Sequence, residues 1–292
     1  MRPEDWHLTE DIDEFLARAG DFLRSRPALH NTPLTVLERL RTRGSDAYGA
    51  GVTVFGRLES GGEVRAAFYR LATRRVTLTP LTTEQADTLA ARLTGLGRPV
   101  SGVTADHDTA TAFAEAWQRH TGATAEAHWW GRLHRLGPLT PPEPRPEGRA
   151  RLAGEHDHEQ VIRWCNEFAA DVGEAPTLDA DSWPDSRFAD KHFTFWEDPD
   201  GTPVSMAGST SLVGGMIRVD PVYTPAHLRG RGYAGAVTVE VTRTALTAGA
   251  TDVVLFTNPA NPTSNALYQR IGYLPIADFT GYRFSQDARD AG

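Results

Sequence analysis

Lysine and cysteine are almost missing from this 292-residue chain, with Lys191 and Cys165 as the sole examples. A single cysteine excludes an intrachain disulfide and a multi-cysteine metal cluster, and it fits a reducing compartment. Cys165 falls in a helical pattern and reads as a small buried hydrophobe rather than a nucleophile. The scarcity of lysine leaves nearly all positive charge to arginine, a skew with no mechanistic weight of its own. Nowhere does an apolar run approach the roughly 18 residues that a membrane span needs, and the opening Met-Arg-Pro-Glu-Asp-Trp has no apolar stretch of signal length. A soluble, cytoplasmic protein is therefore expected. Base is also short: 30 Lys and Arg face 38 Asp and Glu, a formal charge of −8. That balance argues against nucleic acid or anionic membrane as partner, because such binding neutralises phosphates.

What is present is ordinary globular material, 40% apolar and 23% charged. The length suggests two domains. The clearest seam is Gly137 to Gly148, where five prolines interrupt helical and sheet hydrogen bonding. The expected division is residues 1–136, a proline-rich linker at 137–148, and residues 149–292. Apolar spacing in the first part predicts helices over Asp11 to Arg24 and Pro33 to Thr42 and a hairpin of Val52 to Leu58 with Val64 to Arg70 through Gly61-Gly62. A strand at Val76 to Thr79, a helix at Thr83 to Leu93, a strand near Val103, a helix at Thr109 to His120 and a strand at Ala125 to Leu133 follow.

The second part repeats the order. It predicts a strand at Ala150 to Ala153, helices at Glu159 to Ala170 and near Asp181 to Ala189, and a hairpin of Phe193 to Glu197 with Val204 to Ser211 turning at Asp198-Pro-Asp-Gly201. A strand at Met216 to Tyr223, a glycine-rich turn, a helix at Ala234 to Ala248, a strand at Asp252 to Thr257, a helix at Thr263 to Arg270 and a strand near Tyr282 to Phe284 complete it. Trp117-Gln118-Arg119 with Gly122 matches Tyr268-Gln269-Arg270 with Gly272, on the corresponding helix of each part. This is the mark of a diverged internal duplication. The expected fold class is α+β, a mixed α/β arrangement of two domains.

The turn Arg229-Gly230-Arg231-Gly232-Tyr233-Ala234-Gly235 lies between a predicted strand and a long predicted helix. Glycines allow close backbone approach and a helix start offers unpaired N–H donors, so together they suit a pyrophosphate. A P-loop is excluded because no Gly-Lys-Ser/Thr follows. Gly230-x-Gly232-x-x-Gly235 matches the dinucleotide pattern formally, but it follows a hairpin sheet and lacks an initial βαβ unit with a ribose-binding acid.

With Arg229, Gly232 and Ala234 in the pattern Arg/Gln-x-x-Gly-x-Gly/Ala, the chain resembles the GNAT superfamily of acyl-CoA-dependent N-acyltransferases. A second pattern of that family follows at Asn258-Pro-Ala-Asn261 through Ser264, Tyr268 and Gly272-Tyr273. The resemblance covers Gly148 to Phe284 with motifs, and the earlier part only through element order and the weak repeat. It implies two GNAT-like domains, each a central mixed, mostly antiparallel twisted sheet flanked by helices. The first is expected to be degenerate and without cofactor, since Pro80 to Gln85 stands at the place of the phosphate turn with no glycine.

The resemblance further implies direct transfer from acetyl-CoA to a primary amine of a small molecule, amino acid or peptide, without an acyl-enzyme and without a metal. Binding of coenzyme A is assigned to Val222, Tyr223 and Thr224, to the Arg229 to Gly235 turn with Gly230, Arg231, Gly232, Tyr233 and Ala234, and to Asn261 and Ser264. Asn261 equally suits a helix cap. An N–H of the Val222 to Thr224 stretch would polarise the thioester carbonyl, and Pro221 suggests a bulge there. Tyr268 is the candidate general acid for the departing thiolate and Asp220 the first choice of base, ahead of Glu197 and Glu174. His156-Asp157-His158 reads as a helix start capped by Asp157. His128 to His134 reads as a strand whose aromatics pack between the two parts, and neither is expected to hold a metal. The competing function is a non-catalytic acyl-CoA-binding regulator, and a monomer or homodimer is expected.

Overall fold

The computed structural model describes residues 5–174 and 178–285. Those residues form two compact units. One holds residues 5–133 with 277–285, and the other holds the described residues from 134 to 276. This division differs from the expected one at two places. The proline-rich segment is part of the second unit, and residues 277–285 belong to the first.

The first unit runs β1 (Asp5–Thr9), α1 (Ile12–Arg24), α2 (Asn31–Arg43), β2 (Val54–Ser60), β3 (Glu63–Arg70), β4 (Arg75–Leu78), α3 (Thr83–Gly95), β5 (Gly102–Asp106), α4 (His107–Thr121) and β6 (Thr124–Leu136). Strands β1 to β4 are antiparallel neighbours, and β4 and β5 are parallel over Arg75↔Gly102 to Thr77↔Thr104. Residues 279–283 of β12 (Tyr273–Ser285) pair antiparallel with β5 and stand between β5 and β6. Strand β1 was not foreseen. Five residues are too short for periodicity to register, and the strand exists by pairing with β2.

One face of this sheet packs Phe68, Val76 and Val103 against Leu89, Leu93, Phe113 and Trp117 of α3 and α4. On α1, Phe15 stacks on Phe55 with ring centroids 5.3 Å apart. Helix α1 starts cleanly because Asp11 accepts from the N–H groups of Asp13 and Glu14. The aromatic run of β6 departs from expectation. Trp129 and Trp130 are 37% and 51% exposed, while Leu133 is buried. A strand alternates its side chains, but here neighbouring tryptophans both keep contact with water.

The second unit contains β7 (Arg149–Leu152), α5 (His158–Asp171), β8 (His192–Glu197), β9 (Pro203–Ser209), β10 (Met216–Tyr223), α6 (Tyr233–Thr247), β11 (Asp252–Thr257), α7 (Pro262–Arg270) and the start of β12. Strands β7 to β10 pair antiparallel, and β10 runs parallel to β11. The element order of the first unit is thus repeated, including the parallel pair at the same place. Val237, Val241, Val253, Leu255 and Ile271 form the core on the α6 and α7 side. Trp164, Cys165, Phe193, Phe195 and Met206 form the core on the α5 side. Cys165 is fully buried, and burial pushes its thiol up to about 12, so it is inert as expected.

The proline-rich stretch is held rather than free. Gly137 N–H donates to Gly272 O at 2.8 Å and Thr140 N–H to Ile271 O at 3.0 Å, while Trp196 Nε1 donates to Glu147 O at 3.1 Å. The helix expected near Asp181 to Ala189 is only a 3₁₀ turn at Trp183–Asp185, where Pro184 supplies no N–H.

Candidate functional site

Strand β10 lies beside β11 for three residues only, Met216↔Asp252 to Arg218↔Val254. Beyond Arg218 the two parallel strands part, which leaves the Val219 to Tyr223 stretch without a strand on that side. On its other side β10 carries a bulge. Val219 pairs with Ser209 but Val222 with Ala207, so one extra residue is accommodated at Asp220-Pro221, whose peptide bond is cis. Gly208 makes the bulge possible: a Cβ there would stand 2.8 Å from Asp220 O and 2.9 Å from the Pro221 ring. The bulge expected from Pro221 is thus present.

After β10 the chain turns into α6. Ser205 Oγ donates to Tyr223 O at 3.0 Å and lies 2.8 Å from Thr224 Oγ1, and both Tyr223 and Thr224 are buried. Arg229 folds back, its Nε donating to Thr224 O at 2.9 Å while its other end pairs with Asp171. Arg229 therefore fastens the turn. Gly230 and Gly232 have φ of +78° and +83°, a region that favours glycine. Gly232 is the N-cap of α6 and carries no side-chain acceptor. Among the described residues, no backbone or side-chain acceptor takes the N–H groups of Gly230 to Gly235, and the first bond of the helix is Ala236 N–H to Gly232 O. Six successive donors with no protein partner, at the positive end of a helix, form an anion cradle. Gly235 serves packing as well, because a Cβ there would come within 3.1 Å of Leu267. Arg231 is exposed and Tyr233 half-buried.

The corresponding helix start in the first unit is closed. Thr82 Oγ1 accepts from Gln85 N–H at 3.2 Å and Gln85 Oε1 accepts from Thr82 N–H at 3.0 Å, a reciprocal cap, and Leu81 N–H donates to Thr109 Oγ1 at 2.9 Å. Before α3 the N–H groups of Leu81, Thr82 and Gln85 are taken by the protein itself, whereas those of Gly230 to Gly235 before α6 stay open.

Helix α7 carries the second motif. Asn261 is its N-cap, accepting from Ser264 N–H at 3.0 Å, so the capping alternative is realised. Asn265 was missed by the sequence reading. It accepts from Thr257 Oγ1 at 2.7 Å and donates to the carbonyls of Asn258 and Asn261 at 2.9 and 2.7 Å, tying the end of β11 to α7. Its place one turn after the capping Asn261 was the available signal. Tyr268 is 8% exposed, edge-on to Tyr273 at 6.2 Å. Among the described residues its hydroxyl has no hydrogen-bond partner. Burial, then the neighbouring Tyr273 and Asp220, push its phenol well above the ordinary value, so it stays protonated.

Asp220, at the bulge, is ringed by cations. It pairs with Lys191 and with Arg187 at 3.0 Å. Burial opposes its charge, but Lys191, Arg187 and Arg218 prevail and hold the carboxyl well below the usual carboxylate range. Burial in turn pulls the Lys191 amine down to about 8. A carboxylate so surrounded has little proton affinity, which works against the role of base expected for Asp220 and suits that of an anchor for Lys191. The alternatives are also engaged. Glu197 is held by Arg151 and Arg149 away at β7, and Glu174 pairs with Arg187 at 3.0 Å. Glu167, which the sequence did not mark, accepts from the Tyr223 hydroxyl at 2.6 Å.

Asp157 accepts from Gly154 N–H at 2.8 Å and binds Arg151 with both oxygens, rather than capping α5. No group of three or more metal-ligating side chains occurs among the described residues. No helix among them is long and apolar enough to cross a membrane.

Residues 208–283, the stretch from the bulge-making Gly208 through β10, the cradle and α7 into β12, match the family model described as FR47-like protein. No curated protein matches the chain. Among solved structures, a GCN5-related N-acetyltransferase from Sphaerobacter thermophilus is similar at 16% identity, covering 95% of each chain with a TM-score of 0.61. A tandem GNAT protein from the clavulanic acid biosynthesis pathway is similar at 13% identity, covering 97% of this chain and 98% of its own, with a TM-score of 0.58. A GCN5-related N-acetyltransferase from Kribbella flavida, at 18% identity, covers 77% of this chain and 88% of its own with a TM-score of 0.51. At such identities the likeness speaks for the fold, and the two-unit α+β architecture is that of these proteins. Over residues 208–283 the chain is thus similar to the FR47-like family, and in fold it is similar to these GCN5-related N-acetyltransferases.

Proposed function

We propose that the second unit is an N-acyltransferase that passes an acetyl group from acetyl-CoA directly to a primary amine of a small molecule, amino acid or peptide. The observation that carries this reading is the parting of β10 from β11 beside an open row of N–H donors. A thioester laid between the strands would set its carbonyl against the backbone after the bulge and its pyrophosphate on the Gly230 to Gly235 donors. The amine nitrogen attacks the carbonyl carbon and the C–S bond breaks. Tyr268, kept protonated by burial, gives its proton to the leaving sulfur, and the proton released by the amine leaves through solvent and restores the phenol. Asp220 acts from a distance, holding Lys191 and Arg187 beside the bulge. The first unit contributes no coenzyme A site in this reading, since its cradle is closed by Thr82 and Gln85.

Thiol release from acetyl-CoA, followed across a panel of amines, tests the proposal. Turnover with at least one amine is the expected result. Tight coenzyme A binding with no turnover on any amine would leave the protein a binding regulator.

A further inference from the structure

The first unit has a cationic site of its own, on the face of its sheet away from α3 and α4. Gly102 on β5 is flanked in register by Arg75 on β4 and by Arg283 on β12. In-register residues of neighbouring strands point to the same side, so both arginines rise on one face with a residue between them that has no side chain. Their Cα atoms stand about 10 Å apart, two strand spacings. The guanidinium of Arg75 reaches across to β6, where its Nη2 donates to His128 Nε2 at 2.5 Å. A second glycine clears the way, for a Cβ on Gly281 would lie 3.1 Å from the His128 ring.

Among the described residues, neither Arg75 nor Arg283 has a carboxylate partner. Arg75 is nevertheless half-buried, and its pKa is lowered by burial and then by the charge of Arg283. By accepting from Arg75, His128 is neutral at Nε2, and burial followed by the same two arginines holds its pKa down. Glu126 on β6 acts on His128, is exposed, and makes no ion pair with either arginine. Elsewhere in this acidic chain, arginines are commonly met by carboxylates, as Arg57 is by Glu59 and Arg132 by Asp278. A half-buried Arg75 guanidinium with no counter-ion and the like charge of Arg283 beside it is costly, and a bound anion would remove that cost. Guanidinium groups on either side of a bare glycine suit the flat or tetrahedral oxygens of a carboxylate or phosphate.

We propose that Arg75, Arg283 and His128 form a binding site for a small oxyanion, the carboxylate or phosphate group of a small molecule, on the first unit. The site is separate from the coenzyme A cradle and does not depend on the activity proposed above.

The test is calorimetric titration of the full chain, with coenzyme A present at saturation to block the Gly230 to Gly235 donors, using inorganic phosphate and acetate as probes. Saturable binding of at least one probe is expected, weakened about tenfold in Arg283→Gln, which removes an exposed side chain and leaves the core alone. Arg75→Gln should weaken it similarly, with circular dichroism to confirm folding; if that variant unfolds, Arg283→Gln decides. Glu126→Gln should tighten binding by about twofold or more, because it removes a negative charge that acts on His128. Phosphate binding without acetate binding assigns a phosphorylated ligand, and binding of both assigns a carboxylate as well. Absence of saturable binding by both probes, equal affinity in wild type and Arg283→Gln, or weaker binding in Glu126→Gln would overturn the proposal.

Discussion

Replacing Tyr268 by Phe removes one oxygen atom from the heart of the second unit. Its hydroxyl has no partner among the described residues, so no internal bond is lost, and the edge-on contact with Tyr273 at 6.2 Å remains. Stability should stay within about 0.5 kcal/mol of wild type. Coenzyme A affinity should also hold, because the proton matters only as charge develops on sulfur. The rate should not. Loss of a positioned proton donor lowers kcat by about 10²-fold, equivalent to about 2.7 kcal/mol of barrier. Because burial raises the Tyr268 phenol well above its ordinary value, wild type keeps the donor protonated across neutral and mildly alkaline pH. The deficit of the variant should therefore be flat between about pH 7 and 9. Tyr273→Phe is the internal control. It gives up a 2.6 Å bond with Thr242 and should cost about 1 kcal/mol of stability with kcat near wild type. Single-turnover kinetics, in which chemistry is observed directly, decide the matter. A Tyr268→Phe rate within about twofold of wild type would make the ring structural and give the proton to solvent.

Gly232→Asp and Gly232→Asn impose the same positive-φ strain but differ by one charge, so coenzyme A affinity measured by calorimetry should fall at least about tenfold further in Asp than in Asn if the turn is an anion cradle. Coenzyme A should bind once per chain, since the start of α3, the counterpart of α6 in the first unit, is capped; a stoichiometry of two would contradict that closed start. Asp157 has its carboxyl lowered to about 2, chiefly by Arg151, and this depressed value is a stabilising contribution present above about pH 4 and lost as pH falls toward 2. Asp157→Asn should cost about 1–2 kcal/mol at pH 7 and flatten the acid limb of the denaturation profile over that window. Thr82→Ala should remove one arm of the α3 cap and lower stability by about 1 kcal/mol without altering turnover.

The elements built on long periodicity were legible in the sequence. Helix α6 and strand β11, together with the turn between β10 and α6, lie close to where apolar spacing and glycine placement put them, because those signals are local. Motif residues were located by the same means, but their duties were not. Arg229 could be placed in the turn, yet that it binds Thr224 O and Asp171 depends on α5, more than 50 residues away in sequence. In the sequence Asp220 reads as a base; Lys191 and Arg187 reach it only because β8 pairs with β9 and β9 with β10. Partners supplied by distant segments are the part that periodicity cannot carry. The same holds for β12, read as a short strand near Tyr282 although it runs over Tyr273–Ser285. Leu274 and Ile276 are exposed there, so the pattern does not announce a strand, and pairing creates it.

The inclusion of residues 277–285 in the first unit bears on how the chain is made. Those residues stand between β5 and β6, so the sheet begun near residue 5 lacks an interior strand until the second unit has been synthesised. While synthesis proceeds through the second unit, the β5 edge stays open to foreign strands for the time it takes to add about 140 residues, several seconds to half a minute at usual elongation rates. Cleaving the gene at the proline-rich stretch, the obvious place by composition, would make that opening permanent. A shorter product ending there should aggregate, and supplying the peptide of residues 277–285 in trans should be what rescues it.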